Sequence, residues 1–178
     1  TKADGTFSIE AETDEPNLYR LRFAKGKYVM LTLHNDKAKI TGDWNNLEEY
    51  NVEGSQGSTT LKNLLTALRA HIRDVNTLDA VTNSFGNKSN KDSIVGEVKK
   101  SLDVMNKDFA TYVKNFADTT TLLPNAVFAA NLINPRIDTN FISKFYTGLT
   151  TKFPKSNLAK EFNTLYTTKM RPQSGPAT

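Results

Sequence analysis

The chain contains no cysteine. Disulfides, thiolate zinc sites, iron–sulfur clusters and thiol catalysis are therefore excluded within it. Histidine is scarce: His34 stands where a strand runs into the Asn35-Asp36 turn, and His71 stands between Arg69 and Arg73. Both read as surface or interfacial histidines. No apolar run approaches the roughly 20 residues of a spanning helix. No signal peptide is recognisable, because the chain opens on the polar Thr1-Lys2-Ala3-Asp4-Gly5. No glycine-rich loop ends in Lys-Ser/Thr as a phosphate loop does, and no Gly-x-Ser-x-Gly elbow occurs. Adjacent carboxylates such as Asp14-Glu15 and Glu48-Glu49 point to opposite faces of a strand, so they do not converge on one substrate.

What is present is an ordinary folded composition, 38% hydrophobic and 24% charged, which argues against disorder. Net charge is +4, from 23 basic and 19 acidic residues. The basic residues are spread along the chain rather than gathered on one arm, which reads as a solvated surface, with a polyanion-binding role as the minor alternative.

The first fifty-odd residues alternate with period two. Phe7, Ile9 and Ala11 would share one face, then Tyr19, Leu21 and Phe23, then Val29, Leu31 and Leu33, then Ala38 and Ile40, then Tyr50 and Val52. Turn residues separate them at Asp14-Glu15-Pro16-Asn17, Lys25-Gly26-Lys27, Asn35-Asp36 and Gly42-Asp43. This spacing predicts an antiparallel meander, sandwich-like, over residues 1–55. Asp4-Gly5 has the composition of a hairpin turn and suggests an earlier strand before it.

After Gly54 the period changes. Leu61, Leu65, Leu68, Ile72 and Val75 stripe one long helix, with Ser58 or Thr59 as its cap. Ile94, Val98, Leu102, Met105, Phe109, Tyr112 and Phe116 stripe a second. The polar loop at 84–90 makes the pair an antiparallel hairpin. Three shorter helices follow: one opened by Pro124, one capped by Asp138 and carrying Phe141, Phe145, Leu149 and Phe153, and one capped by Ser156 with Leu158, Phe162 and Leu165 inward. The fold class is thus α+β, with an antiparallel β domain at 1–55, a helical subdomain at 56–170 and a linker at 171–178. Asn87-Lys88-Ser89 has the form of a glycosylation sequon.

The residues that could bind a ligand are few: Trp44, the sole tryptophan, with Asp43 and Tyr50 beside it. Trp44 reads more simply as a lid on the sheet end or a contact to the first long helix.

Three stretches, DGTFSIEAETDEPNLYRLRF (4–23), VMLTLHNDKAKITGDW (29–44) and YNVEGSQGSTTLKNLL (50–65), resemble the region that precedes the thioredoxin-like domain in Bacteroidetes envelope thiol:disulfide interchange proteins. The later LLPNAVFAANLI (122–133), IDTNFISKFYTGLTTKFPKSNLAKEF (137–162) and RPQSGPAT (171–178) resemble the helical spacer of the same proteins. That region is itself a domain of unknown function. The resemblance implies a non-catalytic accessory region of a periplasmic or envelope lipoprotein, which positions a redox domain, dimerises or recognises clients. The redox domain, with its C-x-x-C pair, would follow Thr178 in the same polypeptide. A homodimer fits this reading; a cofactor, a catalytic residue, a metal, a nucleic acid and a membrane span are not expected. The competing expectation is a stand-alone ligand- or peptide-binding module using the Trp44 rim, and behind it an enzyme built from scattered carboxylates.

Overall fold

The computed structural model describes residues 5–10, 12–84 and 91–170. Four strands come first: β1 (Asn17–Ala24), β2 (Lys27–Leu33), β3 (Lys39–Asp43) and β4 (Asn46–Glu53). Helices α1 (Gln56–Ser84), α2 (Lys91–Thr119), α3 (Leu123–Ala130), α4 (Thr139–Lys152) and α5 (Asn157–Leu165) follow. The last of these runs into a π-helical turn at Tyr166–Met170. The α+β class and its order are as the sequence predicts.

The strands form two separate antiparallel hairpins, β1–β2 and β3–β4, rather than one continuous meander. Leu21 lies opposite Val29, and Ile40 opposite Val52. The β1–β2 turn is Lys25-Gly26, with Gly26 at φ 77°. The β3–β4 turn is Trp44-Asn45, two residues later than Gly42-Asp43, because Asp43 still pairs with Asn46. Between the hairpins, residues 34–38 include Asn35 at φ 55°. Strands β2 and β3 are not paired across that connection; the second hairpin packs onto the first through Tyr50, whose OH donates to the Met30 carbonyl. Val29, Leu31 and Tyr50 are buried between them, with Tyr19, Leu21, Phe23, Leu33, Ile40 and Val52 around the rim.

The strand expected at Phe7, Ile9 and Ala11 is not formed over residues 6–10. Phe7 is 45% exposed and Ile9 67% exposed. Alternation alone does not make a strand; it needs a neighbour that completes the hydrogen-bond ladder. Ala11, most of the 84–90 loop with its sequon, and 171–178 lie outside the described residues.

Helices α1 and α2 each have 29 residues, about 43 Å at 1.5 Å per residue. Their buried positions are shifted from the predicted stripes. Leu61 and Leu64 are fully buried on α1, whereas Ile72 is 48% exposed. Val113 and Ala117 are buried on α2, and Tyr112 is 40% exposed. The reason is that two faces are in use. Leu61, Leu64, Leu68, His71, Val75 and Leu78 step by threes and fours, the spacing of a two-helix seam. The His71 ring stacks on Phe109 across that seam at 4.2 Å and 4°. A second face of α2, through Ala110, Val113 and Ala117, meets the shorter helices. Among the described residues, none from Leu65 to Asp108 belongs to either core. That part of the hairpin is an arm outside both cores, tied to the sheet at its base by Arg69, which donates to the Glu48 carbonyl at 3.0 Å.

The helical core gathers Leu64, Val113 and Ala117 around α3, α4 and α5. Ala126, Ala129 and Ala130 are fully buried and let neighbouring helices approach α3 closely. Tyr146 stacks on Tyr166 at 5.0 Å. Tyr166 takes the inward position expected of Leu165, which is 41% exposed. Ser156 caps α5 as expected, accepting from the Ala159 N–H at 3.2 Å. Asp138 occupies the cap position of α4 but makes no cap hydrogen bond; its carboxylate pairs with Lys114.

Candidate functional site

The polar residues that meet in the interior do so where β2, the start of α1 and α3 converge. Thr32, Ser55, Ser58 and Asn125 are buried there. Ser55, not Ser58 or Thr59, is the N-cap of α1: its Oγ accepts from the Ser58 N–H at 3.2 Å. The Thr32 N–H donates to Ser58 Oγ at 3.1 Å, and the Thr32 carbonyl accepts from Ser58 Oγ at 2.9 Å. Ser55 Oγ lies 3.1 Å from the same carbonyl and 3.0 Å from Asp36 Oδ2. The Thr32 hydroxyl donates to Asn125 Oδ1 at 2.5 Å, and Asn125 Nδ2 donates to the Gly57 carbonyl at 3.0 Å. Every buried donor and acceptor in this set is matched, as burial requires.

Two glycines make the approach feasible. Gly54 has φ 77°, and a Cβ on it would stand 2.5 Å from the Lys37 carbonyl oxygen. A Cβ on Gly57 would stand 3.0 Å from the Thr32 carbonyl oxygen and 2.6 Å from a Leu122 methyl. The Gly54-Ser55-Gln56-Gly57-Ser58 run is thus a tight latch rather than a loose connector.

Ser55, Asp36 and His34 are close in space but are not arranged for nucleophilic catalysis. The backbone N–H of His34, not its ring, donates to Asp36 Oδ2 at 3.0 Å. A nucleophile needs the base nitrogen within hydrogen-bond reach. The His34 ring instead lies 3.3 Å from Asn35 Nδ2, with Nδ1 buried and unpartnered. His71 has Asp74 three residues on, but its ring is committed to Phe109. No group of three His, Asp or Glu side chains converges among the described residues.

The three sequence-predicted candidates do not form one site. Tyr50 is 2% exposed, and its OH donates to the Met30 carbonyl at 2.9 Å. Burial raises its phenol above the ordinary tyrosine value, with Arg69 opposing. Asp43 accepts from the Asn45 N–H at 2.8 Å and so fastens its own turn. Trp44 is 53% exposed at the end of the hairpin. Lys27 Nζ lies 4.2 Å above its ring and donates to its carbonyl at 2.7 Å, while Phe23 meets the ring edge at 6.5 Å. Trp44 therefore packs on β1–β2 side chains, the lid arrangement, with one face already covered by a cation.

Sequence reasoning missed Glu15. It reaches α5, 141 residues away, where its carboxylate accepts from the Ser156 hydroxyl and from the Asn157 N–H at 2.8 Å. The carboxylate thus sits on the positive end of a helix. The Ser156 bond, then the Asn157 amide, hold its pKa below the ordinary glutamate value. A lowered folded pKa stabilises the fold fully above the unfolded pKa, about 4.3, and that stability is lost as pH falls through the folded value. The stability advantage of the natural protein over Glu15→Gln should therefore shrink between about pH 6 and about pH 3. Melting curves across that range check this; a constant difference would remove the charge from the argument. Lys152 does the complementary job at the end of α2, donating at 2.7 Å to the Ala117 and Asp118 carbonyls. Burial lowers its pKa, with Asp118 opposing.

A shallow groove of about 250 Å³ between α2 and α4 is lined by Phe141, Phe145, Leu149, Lys144, Lys152 and Asp118. Among the described residues no helix is long and apolar enough to cross a membrane.

Residues 1–61 match a family described as a domain of unknown function (DUF4369). The matched span covers both hairpins, the Gly54-Ser55 latch and the first turn of α1. No curated protein and no solved structure matches the chain.

Proposed function

We propose that the chain is a non-catalytic accessory region of a cell-envelope protein, whose role is to hold a thioredoxin-like domain in place and present it to clients. The supporting observation is the latch. Side chains with catalytic potential, Ser55, Ser58, Asp36 and Asn125, have their hydrogen bonds committed to fastening the sheet to the helices. Lys152 and Glu15 are likewise committed to helix ends. A region fastened in this way transmits position rather than performing chemistry. The match of residues 1–61 to a domain of unknown function fits an accessory module and assigns it no activity. The thioredoxin-like partner rests on the sequence resemblance.

Sequencing the gene beyond codon 178 tests the proposal. The expected result is an in-frame thioredoxin-like domain with a C-x-x-C pair within a few dozen codons. A frame that closes without one would overturn it.

A further inference from the structure

The outer edge of β1 has an orientation fixed by its neighbour. The Thr32 amide and carbonyl both turn to serine side chains of the α1 latch, and the Met30 carbonyl accepts from Tyr50. Thr32 lies opposite Leu18, and Met30 opposite Arg20. Those are therefore the non-hydrogen-bonded pairs of the ladder, and the backbone groups of Leu18, Arg20 and Arg22 point away from β2. Among the described residues the Leu18 N–H is met by the adjacent Asn17 Oδ1, at 2.8 Å. No strand pairs with this edge among the described residues.

Side chains along the edge add chemistry. Arg20 and Arg22 are exposed, and neither forms an ion pair among the described residues. Arg20 lies 5.4 Å from the Tyr28 ring centroid, and Arg22 Nε reaches only the Ala24 carbonyl. At the Leu18 end a small apolar groove of about 90 Å³ opens, walled by Leu18, Leu123, Val127, Leu158 and Phe162. The edge thus offers backbone pairing, a pocket for one apolar side chain and two uncommitted cations.

The chain carries a segment of matching chemistry. Phe7, Ile9, Glu10 and Glu12 precede β1, and Phe7 touches the Phe23 ring at 6.0 Å. An antiparallel alignment through that contact sets Glu10 level with Arg20. Yet residues 6–10 form no strand, and Ile9 is 67% exposed.

We propose that the outer edge of β1 is a strand-addition site for an extended peptide of alternating apolar and acidic residues from another polypeptide. Main-chain pairing supplies affinity, and the arginines and the groove supply selectivity. The segment at 6–10 is the weak resident that such a peptide displaces. This goes beyond the accessory reading: peptide binding would survive the absence of a downstream redox domain, and the gene test would survive the absence of peptide binding.

The test titrates the full chain into a fluorescein-labelled synthetic peptide, TFSIEAETD, and into a scrambled peptide that breaks the alternation. The expected result is saturable binding, about tenfold tighter than the scramble and weakened by salt. Arg20→Ala/Arg22→Ala should weaken it several-fold, and Arg20→Glu/Arg22→Glu about tenfold or more, with unchanged far-ultraviolet circular dichroism. Phe7→Asp, which loosens the resident segment, should tighten it. Equal binding of the scramble, or no effect of either arginine pair in a folded variant, overturns the proposal. Sedimentation showing a dimer that the peptide dissolves also overturns it, because the edge would then belong to a second copy.

Discussion

Asn125→Ala is expected to lower folding stability by about 2–4 kcal/mol. Asn125 is fully buried on α3, and its amide spans two elements that lie far away in sequence. It accepts from the Thr32 hydroxyl on β2 and donates to the Gly57 carbonyl at the start of α1. Truncation leaves the Thr32 hydroxyl without its acceptor and the Gly57 carbonyl with only its intrahelical bond, at about 1–3 kcal/mol for each lost bond that finds no replacement. Rotation of the Thr32 hydroxyl and entry of a water would recover part of this, which sets the lower bound. Thr32→Val removes the other end of the same bond while keeping its shape, and should cost about 1–2 kcal/mol. The double variant should cost less than the sum, because both changes break one hydrogen bond. Denaturant midpoints at constant slope measure all three. A loss below about 1 kcal/mol for Asn125→Ala would mean that apolar packing alone fastens α3 to the sheet.

The contrast between legible and hidden features follows the range of the interactions. The strands from Asn17 to Glu53, the Lys25-Gly26 turn and the Ser156 cap depend on residues within a few positions of each other, and period and turn chemistry reveal them. The latch does not: Thr32 and Asn125 are 93 residues apart. One local signal pointed to it. Asn125 is the lone polar residue in Leu122-Leu123-Pro124-Asn125-Ala126-Val127-Phe128-Ala129-Ala130, and such a residue on a buried helix needs a partner. Glu15 was correctly placed in a turn, but nothing nearby in sequence announced its role at α5. The α1 stripe was misplaced by one residue, Leu65 for Leu64, because adjacent leucines satisfy a period of 3.6 equally well. The unformed strand at Phe7 and Ile9 shows the converse. Its pattern is legible, but a strand also needs a partner edge, and alternation carries no information about who supplies it. For the candidate site, Trp44, Asp43 and Tyr50 are neighbours in sequence whose side chains point to three different jobs.

Gly54→Ala is expected to cost about 3 kcal/mol, against about 1 kcal/mol for Gly26→Ala. The two glycines have the same φ, 77°, so the left-handed backbone penalises alanine equally at both. They differ in what surrounds them. A Cβ on Gly26 meets nothing within 4 Å, whereas one on Gly54 stands 2.5 Å from the Lys37 carbonyl oxygen and 3.4 Å from its carbon. Those are backbone atoms and cannot rotate aside, so the β2–β3 connection or the start of α1 must move. Ser55 follows directly, and its Oγ must stay within reach of the Thr32 carbonyl and the Asp36 carboxylate to cap α1. A shift of a few tenths of an ångström there strains bonds that Asn125 also depends on. Gly54→Ala and Asn125→Ala should therefore combine non-additively, while Gly26→Ala and Asn125→Ala should add within about 0.5 kcal/mol. Equal losses for the two glycine variants would sink the close-approach argument and leave φ as the sole reason for glycine at 54.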